Sequence, residues 1–422
     1  MIRELLDRRG LPLFTTFFFF AVGTGAMQLA RPLFAASFGV SLFFVSLVSA
    51  TMAVARLVAS PTTGFLTDRW GRRPLVIAGC SLRAASAILE FFITSYEQFL
   101  ILEFIGGIGI SVWNTGASII IADLSPREFR GRAVALRNMS MRLGMVVGPL
   151  CGAVLASVFD LRAIFIFNGA SKLMVVAILL ALIRETRPEA APEGGRPADS
   201  AATEERLDLS VFLTRAFLAV VFATLTISMM GGGGAFGALF PLHAKESAGL
   251  STADIGQMIT LAGIVALLIS FPNGMLMDRY GRKKSLIPGL LLFAGSALLM
   301  AQFTDYLTVL ITVLVFGLGE GICMGTSQVL AMDLAPESRR GAFMGMWSLF
   351  TNLGGLMAPL IMGAIGDAFG FAAAFNTVAA CLALSALVMA FFGPETGGRR
   401  RAAEQPNVGR GLVPRQPSSD GH

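Results

Sequence analysis

Histidine is nearly absent from this chain. Of 422 residues only His243 and His422 are histidines, and no nucleophile–base or metal-ligand spacing accompanies either. A membrane enzyme built on a zinc site or on a histidine beside a nucleophile is therefore excluded, and no metal or other cofactor is expected. Cysteine is almost as scarce. Cys80, Cys151, Cys323 and Cys381 all lie in apolar stretches without CxxC spacing and read as small buried hydrophobes. No GxxxxGK[ST] loop is present, which excludes a P-loop for ATP hydrolysis. Charge is the most telling shortage: 14% of residues are charged, against about a quarter in a soluble domain.

What replaces charge is apolar length. Hydrophobic residues make up 55% of the chain, and the mean hydropathy is +0.71. They fall in twelve runs that nearly lack charge, each of roughly 20 residues, enough to cross about 30 Å of hydrocarbon as a helix. Lipid offers no hydrogen bonds to an open backbone and the alternation of a barrel is missing, so the expected class is an all-α membrane protein with twelve transmembrane helices. Phe17–Phe20 belongs to the first span rather than to a signal peptide, because its apolar stretch is too long and no small-residue cleavage site follows.

The net charge of +6 and pI near 9.5 do not point to nucleic acid, since the basic residues sit in short clusters at the ends of the runs. If the helices alternate, Arg69, Arg72, Arg73, Arg130, Arg132, Arg279, Arg282, Lys283, Arg339 and Arg340 share one face, while Arg162 and Lys245 mark the other. The positive-inside bias makes the first face, and with it both termini, cytoplasmic. The expected organisation is a six-helix bundle over residues 1–183, a polar Pro/Ala/Glu/Gly-rich linker over 184–210, a second six-helix bundle over 211–393 and a disordered tail over 394–422. The seventh span is expected as one helix, Val211–Phe240.

The halves repeat. GFLTDRWGRRP from Gly64 returns as GMLMDRYGRKK from Gly274, 210 residues later, and Asp123/Asp333 and Pro149/Pro359 keep the same offset. In each copy a helix closes on an Asp, a Gly allows the reversal, and Arg or Lys open the next helix. Asp68 is placed to accept charge-assisted bonds from Arg72 and from a helix N-terminus, while the other cations meet lipid headgroups. Gly64, Asp68, Arg69, Gly71, Arg72 and Arg73 resemble the loop signature between the second and third helices of the major facilitator superfamily. Gly274, Asp278, Arg279, Gly281, Arg282 and Lys283 resemble its weaker repeat. The resemblance spans nearly the whole chain. It implies two pseudo-symmetric bundles with one central site exposed alternately to each side. It also implies a latch at the cytoplasmic face formed by Asp68, Arg72 and Asp123, with Asp278, Arg282 and Asp333 as counterpart.

Gly144, Gly148, Pro149 and Gly152 in the fifth span allow close helix approach and a bend. They are similar to the GP signature of the superfamily's drug:proton antiporters (multidrug efflux branch), although Ala135 replaces an upstream glycine. Charges within spans are costly unless they meet a cavity or a partner. Arg31, Arg56, Arg83, Glu90, Glu103, Arg142, Lys172 and Glu320 are such charges, and the family's cavity helices select Arg31, Glu103 and Glu320. Arg31 and Glu103 lie at matching depths and are expected to pair. Glu103 stands where the antiporters carry an arginine, and it reads equally as a structural partner or a proton carrier, whereas Glu320, set among glycines, reads as functional. Gln28 and Asn114 fall on cavity helices as substrate contacts.

The function implied is proton-coupled export of small organic or amphipathic molecules by alternating access, by a monomer surrounded by lipid in a bacterial inner membrane. The alternatives are a proton symporter or uniporter importing a sugar, organic acid or other metabolite, and a transport-dead receptor or scaffold.

Overall fold

The computed structural model describes residues 10–124, 130–182, 214–335 and 340–396. The linker 184–210, the Arg339 position and the tail beyond 396 lie outside the described residues. Six helices form the first half: α1 (Gly10–Ala36), α2 (Leu42–Trp70), α3 (Arg72–Glu90), α4 (Tyr96–Leu124), α5 (Arg130–Val158) and α6 (Ala163–Leu182). Seven form the second: α7 (Arg215–Met230), α8 (Ala235–Ser247), α9 (Thr252–Tyr280), α10 (Arg282–Met300), α11 (Tyr306–Leu334), α12 (Arg340–Phe369) and α13 (Phe371–Phe392). Among the described residues eleven segments are long and apolar enough to cross a membrane, with α7 and α8 counted together as one. The twelfth crossing is α3. It fails on composition because it carries Arg72, Arg73, Arg83 and Glu90, yet Arg83 and Glu90 are buried against each other, which removes most of the penalty of an isolated charge in lipid.

The seventh span is two helices rather than the single one expected. Gly231–Gly234 separate α7 from α8, because each glycine costs a helix interior about 1 kcal/mol relative to alanine and four in succession outweigh the hydrogen bonds they would close. Outward-facing apolar side chains stay uncovered, Phe271 at 80% and Phe391 at 78% exposure, as suits a lipid surround.

Small residues set the tightest approach. A side chain on Gly148 would meet the Val22 carbonyl at 2.3 Å, and one on Gly144 the Phe18 carbonyl at 2.5 Å, so α5 lies backbone to backbone on α1. The same stretch also faces the other half, where a Cβ on Gly256 of α9 would come within 2.9 Å of the Pro149 carbonyl.

The halves meet through α2 with α12, α5 with α9, and α1 with α8. The apolar core is unevenly divided. Toward the face opposite the basic loops one cluster runs through both halves, joining Leu29, Leu33 and Phe34 to Ile227, Leu239 and Met362. Toward the basic face the cores separate, with Leu13, Phe14, Trp113 and Ile120 in the first half and Phe217, Val221 and Phe343 in the second. The molecule is sealed at one face and divided at the other.

Candidate functional site

Two chambers open between the halves. The first, about 230 Å³, is lined by Gln28 of α1, Arg142 and Met145 of α5, Phe236 of α8 and Phe316 and Glu320 of α11. Glu320 is the midpoint of its 29-residue helix, and among the described residues its carboxylate has no hydrogen-bond or ion-pair partner. Arg142, its charged neighbour, donates from Nη1 to Ser270 Oγ at 3.0 Å, bridging α5 to α9. The unwound Gly232 reaches the same chamber beside Gln28. Aromatic and aliphatic walls around one carboxylate and one guanidinium suit an amphipathic guest.

The second chamber, about 380 Å³, lies among α2, α4 and α12. Arg56, Ser60, Ser111, Asn114, Thr351 and Asn352 give it polar walls. Asn114 accepts a hydrogen bond from Arg137 at its side-chain oxygen.

Glu103 lines neither chamber. It is fully buried, accepting from Arg31 Nε at 2.7 Å with Arg83 Nη2 at 3.6 Å, while Arg83 Nη1 donates to Glu90 at 2.9 Å. Arg31, Glu103, Arg83 and Glu90 thus form a chain of alternating charge tying α1, α3 and α4 together, as a buried pair requires if desolvation is to be offset. Lys172, also fully buried, donates to the Phe20 carbonyl and to Thr24. It lies 4.0 Å from the centre of the Phe20 ring. Trp113 stacks on the same ring at 3.5 Å and belongs to the core.

At the basic face Arg72 pairs with Asp123 at 2.6 Å. In the repeat, Arg282 pairs with Asp333 at 3.0 Å and with Asp278 at 3.5 Å. Gly71 and Gly281 make the reversals at φ 93° and 103°, where a side chain would be strained. Gly64 falls within α2, and the side chains of Asp68 and Arg69 lie outside what the structure describes. The segment after α13 secures the second loop: Thr396 donates to Asp333 at 2.9 Å, and Glu395 accepts from the Lys283 backbone at 3.2 Å. These bonds stay within one half or the other.

The opposite face carries a bond set between halves for which the sequence gives no local sign. Asp367 near the end of α12 accepts from Ser41 Oγ at 2.6 Å, Leu42 N at 2.7 Å and Phe43 N at 3.0 Å. It caps the N-terminus of α2 from the other half, satisfying donors that helix start leaves open. Beside it, a Cβ on Gly363 would lie 2.8 Å from the Leu42 carbonyl. Asp367→Ala should loosen this face: spin labels at Val40 and Phe371 are expected to report a larger population of long distances. An unchanged distance distribution would show that the cap does not hold the halves together.

The sequence reading selected Arg31, Glu103 and Glu320 from the charges within spans. The structure places only Glu320 in a chamber, together with Gln28; Asn114 lines the other. Arg56 and Arg142, charges within spans that the cavity-helix selection leaves out, line the chambers, Arg137 bonds to Asn114 behind the second, and neither Arg137 nor Asp367 at the seal is among the sequence candidates.

A family model described as Major Facilitator Superfamily matches residues 13–233 and 221–420. The multi-drug resistance efflux pump PmrA of Streptococcus pneumoniae is 24% identical over 364 residues, 84% of this chain and 88% of its own length. An MFS-type transporter of Methanocaldococcus jannaschii is 23% identical over 370 residues, 87% of this chain and 93% of its own. Among solved structures, that of a D-xylose–proton symporter superposes with a TM-score of 0.75 at 18% identity, covering 91% of this chain and 98% of that one.

Proposed function

This chain belongs to the major facilitator superfamily, and from that premise we propose that it exports small amphipathic molecules from the cytoplasm in exchange for protons. It is a multi-pass membrane transporter of small molecules, not an enzyme. The observation that carries proton exchange is Glu320: a carboxylate at mid-helix, facing a chamber between the halves, with no ion-pair partner among the described residues. Such a group can trade a proton with whichever side the chamber opens to. Glu103, enclosed by two guanidinium groups, has no such route and serves as counter-ion.

Export is supported by the likeness to an efflux pump and by the glycines of the fifth span at the α1–α5 contact. With the basic face cytoplasmic, as the positive-inside bias favours, the conformation described is inward-facing. The six latch residues Asp68, Arg72, Asp123, Asp278, Arg282 and Asp333 would join the halves when the molecule turns outward, and Asp367 would seal the outer face in the inward state. Two bundles at 1–183 and 211–393 move as units about the linker, in a monomer embedded in the plasma membrane with both termini cytoplasmic.

The test is transport by the purified full chain in proteoliposomes, with ethidium, 2-naphthoate and 2-naphthamide as probes and an imposed pH difference. One proton crossing one pH unit supplies about 1.4 kcal/mol, enough for about tenfold accumulation of a neutral probe at one-to-one exchange. At least one probe should accumulate against its gradient and collapse when a protonophore is added. If no probe moves faster with the gradient than without it, proton-driven export is wrong.

A further inference from the structure

The two chambers are copies of each other. Applying the 210-residue offset of the duplicated sequence to the residues lining the chamber of α2, α4 and α12 lands, for most of them, on residues lining the chamber of α9, α11 and α5. Leu57 corresponds to Leu267, Asn114 to Met324 and Gly355 to Met145. The charged positions have exchanged partners in a particular way: Arg56 answers to Ala266, Glu320 to Ile110, and Arg142 to Asn352. The duplication built two equivalent pockets, and their walls then diverged. One has a carboxylate, a guanidinium and an apolar wall. The other has a guanidinium, no carboxylate, and hydroxyl and amide groups.

The second pocket is where charge is uncompensated. Arg56 is the midpoint of a 29-residue helix and its side chain is exposed to the open chamber, so a charge at that depth is presented to whatever enters the cavity. Its guanidinium has no hydrogen-bond or ion-pair partner among the described residues, since the nearby carboxylate, Glu103, is already held by Arg31 and Arg83. Asn114 has its side-chain oxygen occupied by Arg137, which leaves its NH2 group as the donor still free to bind. Arg137 adds a second positive charge next to the wall. Around this chamber Arg56 and Arg137 stand with no carboxylate on the lining, a local excess of positive charge. A membrane interior tolerates such an excess when an anion completes it.

We propose that the Arg56 chamber binds the anionic group of the cargo, and that the cargo class is small organic acids carried as carboxylates. The planar fork of Arg56 matches a carboxylate with two parallel bonds. The Asn114 amide and the Ser60 hydroxyl on the walls are within the chemistry that completes an oxyanion's shell. The remainder of a partly apolar acid finds Leu57 and Ile110 in the same pocket. The duplicated chamber, which holds Glu320, would repel a carboxylate while that residue is ionised, so the two pockets divide the work: one receives the acid and the other handles the proton. The inference rests on the export reading only for the route by which the acid leaves; binding can be measured without any gradient.

The experiment uses the full chain purified in detergent and three probes on one scaffold: 2-naphthoate, neutral 2-naphthamide and cationic 2-naphthylmethylammonium. Binding is read from probe fluorescence and from the rise in melting temperature. Wild type should bind naphthoate at least about tenfold more tightly than the amide or the ammonium, as a charge-assisted paired bond implies. Arg56→Gln should abolish that preference, weakening naphthoate binding at least about tenfold more than amide binding, and Arg56→Lys, with its charge but not its fork, should keep part of the preference. The proposal is overturned if wild type binds the amide or the ammonium as well as it binds naphthoate. It is also overturned if Arg56→Gln keeps the carboxylate preference. The wild-type comparison decides the matter even where a variant fails to fold. If carboxylate binding follows Arg56 but no probe is driven by a pH gradient, the export reading fails and this one stands; the converse result separates them the other way.

Discussion

Proteoliposomes containing the Glu320→Gln protein should show no uphill accumulation of any probe when a pH gradient is imposed, while exchange of labelled for unlabelled probe across the same membrane continues. Glutamine keeps the volume and polarity of the side chain and cannot take up a proton. Exchange without a gradient requires only that the loaded protein turn from one face to the other. Gradient-driven transport requires that the return journey be coupled to a proton, and a group that carries it must meet the chamber in both orientations. Glu320 satisfies that demand by its place on the chamber wall at mid-helix. Carrying a bare charge through the midplane costs several kcal/mol, and the protonated carboxyl avoids that cost on the return. Arg142 supplies the opposing tendency: an ionised Glu320 faces a guanidinium across the chamber, one that already links α5 to α9 through Ser270. Protonation would therefore weaken attraction across the interface between halves, which is what coupling needs. Glu320→Asp should retain accumulation at reduced rate. Accumulation by Glu320→Gln at the wild-type level would remove this residue from the proton path.

The architecture was legible because it rests on length and repetition. Apolar runs long enough to cross lipid and a 210-residue offset are properties of sequence that do not depend on which residues eventually touch. Local chemistry was legible where it stayed local. The glycines at 71 and 281 announce reversals, and Gly231–Gly234 announce weakness in the seventh span, although only the structure turns that weakness into two helices.

The site was read less well, for a physical reason. Sorting the charges by cavity helix treats a helix as a label, whereas a buried charge is decided by which neighbour reaches it. Arg83 and Glu90 lie two turns apart on one face of α3, a spacing visible beforehand, yet α3 was outside the cavity set. Packed on α4, it delivers Arg83 to Glu103 and turns a supposed cavity residue into the centre of an enclosed network. Arg56, named among the charges within spans but not selected, is set apart in sequence by what the duplicated copy carries at its position, Ala266. Asp367 left no trace to read: its partners at Ser41, Leu42 and Phe43 are more than three hundred residues distant, and an aspartate at a helix end is ordinary.

The enclosed network leads to a result in stability rather than transport. Arg31, Arg83, Glu90 and Glu103 sum to zero charge. Glu103→Gln leaves two guanidinium groups facing one carboxylate around a fully buried position, and removing one partner of a buried pair costs about 3–5 kcal/mol. The expected outcome is a marked fall in the unfolding midpoint of the purified protein in detergent. Arg31→Gln should cost less, because Arg31 is partly exposed and Glu103 keeps Arg83 within 3.6 Å. The decisive molecule is the double variant Arg31→Gln with Glu103→Gln. It restores neutrality, leaving the Arg83 to Glu90 bond at 2.9 Å intact, so it should be more stable than Glu103→Gln alone even though it has lost more native groups. A simple sum of the two single effects would mean that the residues act independently and would dissolve the network. Transport separates the roles further: if Glu103 is a counter-ion, the double variant still accumulates probe under a pH gradient, whereas a proton carrier at this position would make it as inactive as Glu320→Gln. Stability restored together with coupling retained would assign the two carboxylates to different tasks, Glu103 to holding α1, α3 and α4 in place and Glu320 to moving the proton.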